Sequence, residues 1–304
     1  MTDVGDNLAQ HTEDWQALPW KQFQRDVFRL QKRIYQAVRC DDLKRVHNQQ
    51  RRLLHSWSAR CLAVRQVSQD NRGKRTPGVD GVASLTPEQR LALAHDLRNL
   101  SSWTADPIRR VYIPKSGRAE KRGLGIPTMR DRAMQALVKL ALEPEWEARF
   151  EPNSYGFRPG RSAHDAIEAI FASIHLKSKF VLDTDVEKCF DRINHDALLK
   201  KLNAIQPIKR VVQQWLKAGF IDKLTTFSTT EGTPQGGVIS PVLMNLTLDG
   251  LQVELQRHFP RHKRQSVYLV RYADDFIISA REKSLLEDEI KPIVERFLDE
   301  RGLQ

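Results

Sequence analysis

The sequence has 304 residues, 40% of them hydrophobic and 29% charged, with a formal net charge of +11. That length and apolar content suit one large or two modest folded domains, and the positive balance favours a polyanionic partner, nucleic acid first. No run approaches the roughly 18 consecutive apolar residues of a membrane helix, the amino terminus is no secretory signal, and Cys40, Cys61 and Cys189 lack the number and spacing of a disulfide framework or zinc site; a cytoplasmic protein is expected, with the cysteines as buried small hydrophobes.

Residues 15–68 carry helical spacing twice. Phe23, Val27, Leu30, Ile34 and Val38 form one stripe, and Leu43, Val46, Leu53, Leu54, Trp57, Cys61 and Val64 another, predicting a helical hairpin. Its outer faces are dense in Arg and Lys, including Arg25, Arg29, Arg51, Arg52 and Arg60, which suits either a solvated surface or an RNA-binding face. The basic Gly- and Pro-rich run from Asn71 to Gly81 marks a boundary. Beyond it, 87–100 reads as a helix and 109–114 as a strand entering a turn at Lys115. Ser162 with Asp165 three residues on is an N-cap signal, and Ile167, Ile170, Phe171 and Ile174 give the following helix an apolar face. Residues 197–216 read as one helix and 224–230 as polar strand material. Ser240-Pro241 starts a further helix with Leu243, Leu246 and Leu251 facing inward. His258 and His262 stand four apart, but Pro260 breaks the helix a metal pair would need.

Two acid clusters stand out against this background. In the first, Phe180, Leu182 and Val186 alternate with Asp183 and Asp185, and Asp191 follows. In the second, Val267, Leu269, Phe276, Ile277 and Ile278 flank Asp274 and Asp275, which predicts two strands with both aspartates at a tight hairpin turn. Aspartates in apolar strands are costly to bury without a cation or donor. Two acid-bearing strands in one sheet can share Mg²⁺, which prefers oxygen ligands, and a pair of such ions about 4 Å apart can clamp a phosphoryl transfer.

The string from Arg271 to Asp275 resembles the Y-x-D-D signature of reverse transcriptases. Asp185 with Phe190 and Asp191 resembles their first palm motif, and 233–241, Thr-Pro-Gln-Gly-Gly-Val-Ile-Ser-Pro, the motif between the two. With Ile113-Pro-Lys115, the run from Gly123 to Arg132 and that from Tyr155 to Ser162, the spellings are similar to bacterial group II intron-encoded reverse transcriptases, or maturases, over about residues 75–304.

The resemblance implies an α/β (α+β) right-hand polymerase: fingers and palm preceded by a basic helical N-terminal extension. Its implied divisions are the extension over 1–74, fingers with the start of the palm over 75–180, and palm over 181–304 with a fingers segment at about 197–232. It implies RNA-directed DNA synthesis with two Mg²⁺ ions held by Asp185, Asp274, Asp275 and the backbone carbonyl of Val186. Lys115 and Arg122 are implied at the triphosphate of the dNTP, Phe190 as the gate against a 2′-hydroxyl, and Gln235 and Gly236 at the nucleotide and templating pair. Arg158 and Arg161 are expected at template phosphates, and Arg25, Arg29, Arg51 and Arg52 on intron RNA; Asp191 is expected to be structural and Asp183 has no assigned role. The partners implied are intron RNA, an RNA template with a DNA primer, and dNTPs, in a bacterial ribonucleoprotein that assists splicing and mobility; a homodimer is left open. Family members continue past the equivalent of Gln304 into further palm strands and a helical thumb, so residues 1–304 alone are expected to be weak or inactive. Two alternatives share parts of the pattern: a non-catalytic RNA-binding splicing cofactor, disfavoured by the intact acids, and a reverse transcriptase recruited to a host system such as CRISPR immunity, which would need further domains.

Overall fold

Helix α5 (Met129–Arg149) is buried over most of its length, polar Asp131, Arg132, Gln135 and Glu145 included, with Met134, Leu137, Val138 and Leu142 fully buried, and such a helix belongs at the centre of a core. The computed structural model describes residues 14–114, 121–223, 225–260 and 267–304, and in it the buried residues of α5 belong to one continuous hydrophobic core. Helices α1 (Trp20–Arg39), α2 (Leu43–His55) and α3 (Trp57–Arg65) lie against it, burying Phe23, Val27, Ile34, Val46, Leu53 and Val64. Gln50 Nε2 donates to Glu145 Oε2 at 2.7 Å and Gln31 Nε2 to the Leu140 carbonyl at 3.1 Å, so the amino-terminal helices share one core with α5.

The expected hairpin differs in detail. Its second arm is two helices, because Ser56 leaves the helical conformation and its side chain accepts from Ala59 N to cap α3. Leu43, predicted inside, is exposed at the start of α2. Arg60, predicted outside, is buried, with Nη1 donating to the Ala94 carbonyl at 3.2 Å and its guanidinium over the Trp57 ring. Cys61 and Cys189 are buried as expected, but Cys40 is exposed just after α1.

Helix α4 (Pro87–Asp96) starts with a capping box between Thr86 and Gln89 and stops at Asp96, short of the predicted residue 100. A four-stranded sheet follows in the order β2-β1-β4-β5, from β1 (Ile108–Pro114), β2 (Lys121–Ile126), β4 (Phe220–Asp222) and β5 (Thr225–Phe227). Strand β4 pairs in parallel with β1, Ile108 opposite Phe220, so the chain returns to this sheet after its first acid motif. The junction with α5 is organised by Asp131, a buried carboxylate that accepts from Trp103 Nε1 at 2.9 Å, Trp215 Nε1 at 3.0 Å and Asp106 N at 2.9 Å. Burial holds its carboxyl above the usual range.

The second sheet has the order β3-β7-β6, from β3 (Phe180–Asp185), β6 (Tyr268–Tyr272) and β7 (Asp275–Ala280), all antiparallel. Helices α7 (Cys189–Arg192), α8 (His195–Leu202) and α9 (Gln206–Lys217) connect the sheets; the single helix predicted over 197–216 is interrupted where Asn203 takes a left-handed φ of 40°. Helix α10 (Ser240–Leu248) is buried almost throughout, and α11 (Leu251–His258) and α12 (Lys291–Asp299) complete the core. Helix α6 (Ala163–Ile174) has the predicted Ser162–Asp165 capping box, but its apolar face is open: Ile167 is 62% and Phe171 63% exposed. No described helix is long and apolar enough to cross a membrane.

Candidate active site

Strand β7 lies between β3 and β6, and its register puts Leu182, Ile278 and Leu269 in one row and Asp185, Asp275 and Tyr272 in another. Leu269 and Ile278 turn into the core. Period-two alternation then sends Asp185 and Asp275 to the opposite, open face as direct cross-strand partners. Like charges so placed repel. The Asp275 carboxyl is held above its usual range by burial first, then by the charges of Asp274 and Asp185. Asp274 is also raised, chiefly by burial, with Asp185 adding to it and Arg122 and Arg271 opposing. Both aspartates were predicted in the turn; the loop is instead Ala273–Asp274, with Asp275 already the first residue of β7. Ala273 takes a φ of 61°, where two-residue hairpin loops usually place glycine.

Among the described residues no three His, Cys, Asp or Glu side chains form a ready-made metal cage. Mg²⁺ commonly binds through one or two carboxylates and completes its shell with water and substrate phosphates. The donors are hard oxygens, and the negative charges that help raise the Asp274 and Asp275 carboxyls are ones a divalent cation would relieve. Cys189 sits beside this group; burial and the charges of Asp274 and Asp185 push its thiol up to about 12, so it is no thiolate ligand. His258 Nδ1 faces the carbonyl of Glu254, and His262 lies outside the described residues.

Across from the acids, Arg122 at the start of β2 donates from Nε to Gln235 Oε1 at 2.6 Å, and Gly125 N donates to the Gln235 carbonyl at 2.6 Å. Gly236, at φ 111°, lies so close to β2 that a Cβ would stand 2.7 Å from the Gly125 carbonyl oxygen. Sequence positions 122, 235 and 236 are therefore brought together, within electrostatic reach of Asp274. Lys115 lies outside the described residues. Phe190 is buried in α7, and its carbonyl accepts from Thr233 N at 2.5 Å, tying it to the segment that carries Gln235. Asp191 pairs with Arg110 of β1 at 3.7 Å.

These geometries coincide with a family match. A family model described as "Reverse transcriptase (RNA-dependent DNA polymerase)" matches residues 113–304, and one described as "N-terminal domain of reverse transcriptase" matches 15–97. The chain belongs to the reverse transcriptase family. Protein YkfC of Escherichia coli (strain K12) is 33% identical over 70% of this chain and 65% of its own length. Group II intron-encoded protein LtrA of Lactococcus lactis subsp. cremoris is 34% identical over 65% of this chain and 34% of its own. Maturase-like protein 1 of Euglena gracilis is 30% identical over 78% and 52%. The chain thus spans less than two thirds of the length of each of these relatives.

Arg158 and Arg161, expected at template phosphates, are both engaged within the protein. Arg158 has a side chain only 2% exposed, and Nε and Nη2 grip Glu147 while Nη1 donates to the carbonyls of Glu151 and Ser154. Its donors are spent inside the protein, so it shapes the 151–161 loop instead of facing a phosphate. Arg161 is half-buried, bonded through Nη1 to the Pro152 and Ser154 carbonyls and set over the Tyr155 ring. Arg25, Arg29, Arg51 and Arg52 are all exposed on α1 and α2. Three residues beside the acids went unassigned from sequence: Asn245, Gly156 and Arg271. For Arg271 a signal existed, since alternation with Leu269 puts it on the inner face of β6.

Proposed function

We propose that the protein is an RNA-directed DNA polymerase of the group II intron type, with an RNA-binding role in splicing and mobility. The observation that carries this assignment is the direct pairing of Asp185 with Asp275, Asp274 adjoining, opposite a fingers strand whose Arg122 holds Gln235. Asp185, Asp274, Asp275 and the Val186 carbonyl would hold two Mg²⁺ ions, which when bound favour the ionised primer 3′-hydroxyl and neutralise the triphosphate. The protein's own groups do the rest. Arg122, and Lys115 with it, offers charge-assisted donors to the β and γ phosphates. Phe190, fixed through its carbonyl, stands under the sugar and excludes a 2′-hydroxyl, which implies dNTP use. Gln235 and Gly236 face the nascent base pair.

The exposed Arg25, Arg29, Arg51 and Arg52 supply a salt-sensitive, sequence-independent grip on intron RNA. The parallel pairing of β4 with β1 supports assigning residues near 197–232 to the fingers, within a palm that starts near 181. A cytoplasmic ribonucleoprotein fits this set of partners.

The test is Mg²⁺-dependent dNTP incorporation on an RNA template with an annealed DNA primer, by residues 1–304 and by a version extended with a thumb. Extension should vanish in Asp274→Ala, while RNA binding through α1 and α2 persists. Extension that survives Asp274→Ala unchanged would refute the assignment of the acids.

A further inference from the structure

Arg271 is the least expected residue of the second sheet. Its side chain occupies the inner face of β6, one strand position pair from Leu269 and opposite Phe276, and is 1% exposed. Among the described residues its Nε and Nη2 make no hydrogen bond. A buried cation with idle donors is a poor stabilising choice where an aliphatic side chain would pack. What it does make is specific: Nη1 donates both to the Ala273 carbonyl, at 2.9 Å, and to Asn245 Oδ1, at 2.8 Å.

Asn245, buried in α10, passes the contact on. Its Nδ2 donates to the Gly156 carbonyl at 2.8 Å. Gly156 in turn lies flat against the hairpin loop: a Cβ there would stand 2.8 Å from the Ala273 Cβ and 2.9 Å from its Cα. The main chain closes the circuit, since Arg271 N donates to the Asn153 carbonyl and Tyr155 N to the Arg271 carbonyl, both at 2.9 Å. Ala273, the residue enclosed by these contacts, has the left-handed φ of 61° that a side-chain-bearing residue keeps only when its surroundings over-determine it. Asp274 follows it directly, and Arg271 is one of the two cations that offset the burial of Asp274.

We propose that Arg271 and Asn245 are positioning residues for the acidic turn, bracing Ala273 against Gly156 so that Asp274 and Asp275 are set for divalent cations before nucleic acid arrives. The inference rests on the assignment of these aspartates as metal ligands. Neither Arg271 nor Asn245 touches substrate or metal in this scheme. Each acts through the backbone of the turn, as outer-shell partners orient ligands elsewhere.

The test is Mn²⁺ binding to the protein without nucleic acid or nucleotide, read from the free-Mn²⁺ paramagnetic resonance signal, beside thermal unfolding in metal-free buffer. The variants are Asn245→Ala, Asn245→Ser, Gly156→Ala and Asp185→Asn; Gly156→Ala drives a Cβ into the Ala273 backbone and so displaces the turn directly, and Asn245→Ser, which keeps a small polar side chain in α10, stands in wherever Asn245→Ala does not fold. Asn245→Ala and Gly156→Ala are expected to weaken Mn²⁺ binding about 10-fold or more, the range found for lost outer-shell partners. Unchanged Mn²⁺ affinity in a folded brace variant, with binding lost in Asp185→Asn, would overturn the brace alone. Binding that survives Asp185→Asn would overturn the metal assignment, and the brace with it.

Discussion

Gly232 offers a way to move Phe190, the proposed sugar gate, without touching it. At φ 84°, a Cβ added there would stand 2.6 Å from the Asp191 carbonyl oxygen, 2.7 Å from its carbon and 2.8 Å from the Phe190 carbonyl oxygen, all backbone atoms. The strand of contacts is tight on both sides, for Gly232 N donates to the Ile193 carbonyl at 2.8 Å and His195 Nε2 donates to the Gly232 carbonyl at 2.7 Å. In Gly232→Ala the Phe190–Asp191 backbone has to retreat by about 0.4 Å to restore a 3.0 Å separation. The left-handed conformation costs about 1–2 kcal/mol and the overpacking about 1–3 kcal/mol, so a loss of roughly 2–5 kcal/mol in stability is expected. If misplacement at a reacting centre costs on the order of 100-fold per ångström, 0.4 Å corresponds to roughly sixfold in dNTP over rNTP preference. The assay is the ratio of kcat/KM for dCTP and CTP opposite the same template base, a ratio that cancels any loss of active protein. An unchanged ratio in a variant whose unfolding midpoint has fallen would show that the Gly232 contact does not govern the gate.

Removing Arg122 as Arg122→Ala breaks its bond to Gln235 and should raise KM for dNTP about 10-fold with a smaller change in kcat; a fall in kcat at constant KM would contradict a phosphate- and nucleotide-holding role. Asp131→Ala strands two indole N–H groups and a backbone N–H, each worth about 1–3 kcal/mol when buried unpaired, so urea unfolding followed by tryptophan emission should show a loss of about 3 kcal/mol or more. A loss under about 1 kcal/mol would mean the junction relaxes around the vacated acceptor. Because Asp274 and Asp275 have folded pKa values above their unfolded ones, their contribution is complete below the ordinary carboxylate range and is lost as pH rises through the raised values. In chelator, unfolding free energy should therefore decline with rising pH less steeply in Asp274→Asn than in the parent; equal slopes would exclude the aspartates as its source.

The pairing of the two acid motifs was legible because strand alternation is a local rule: apolar residues around Asp185 and Asp275 assign each carboxylate to a face, and neighbouring strands in one sheet do the rest. What local pattern cannot carry is the identity of a distant partner. Arg158, in a loop before a capped helix, looks like a phosphate contact until Glu147 of α5 is seen to claim it. Arg60 lies within a basic run yet turns inward to Ala94. The splits at Ser56 and Asn203 were missed because a capping residue inside an amphipathic run is indistinguishable from an ordinary polar surface residue. On α6 the spacing gave the apolar face correctly, but spacing says nothing of whether a neighbour covers it.

The interleaving of the two sheets also fixes an order of events on the ribosome. The sheet built on β1 cannot be completed until β4 and β5 have emerged, more than a hundred residues later. By then β3 is already out, but its strand partner β7 is not. At a synthesis rate of about 5–20 residues per second, β3 waits roughly 5–20 s with an unpaired edge bearing Phe180 and Val181. That interval is when a nascent chain is open to wrong pairing. Slowed translation between the two acid motifs should lower the soluble yield, and chaperones that shield extended apolar segments should restore it.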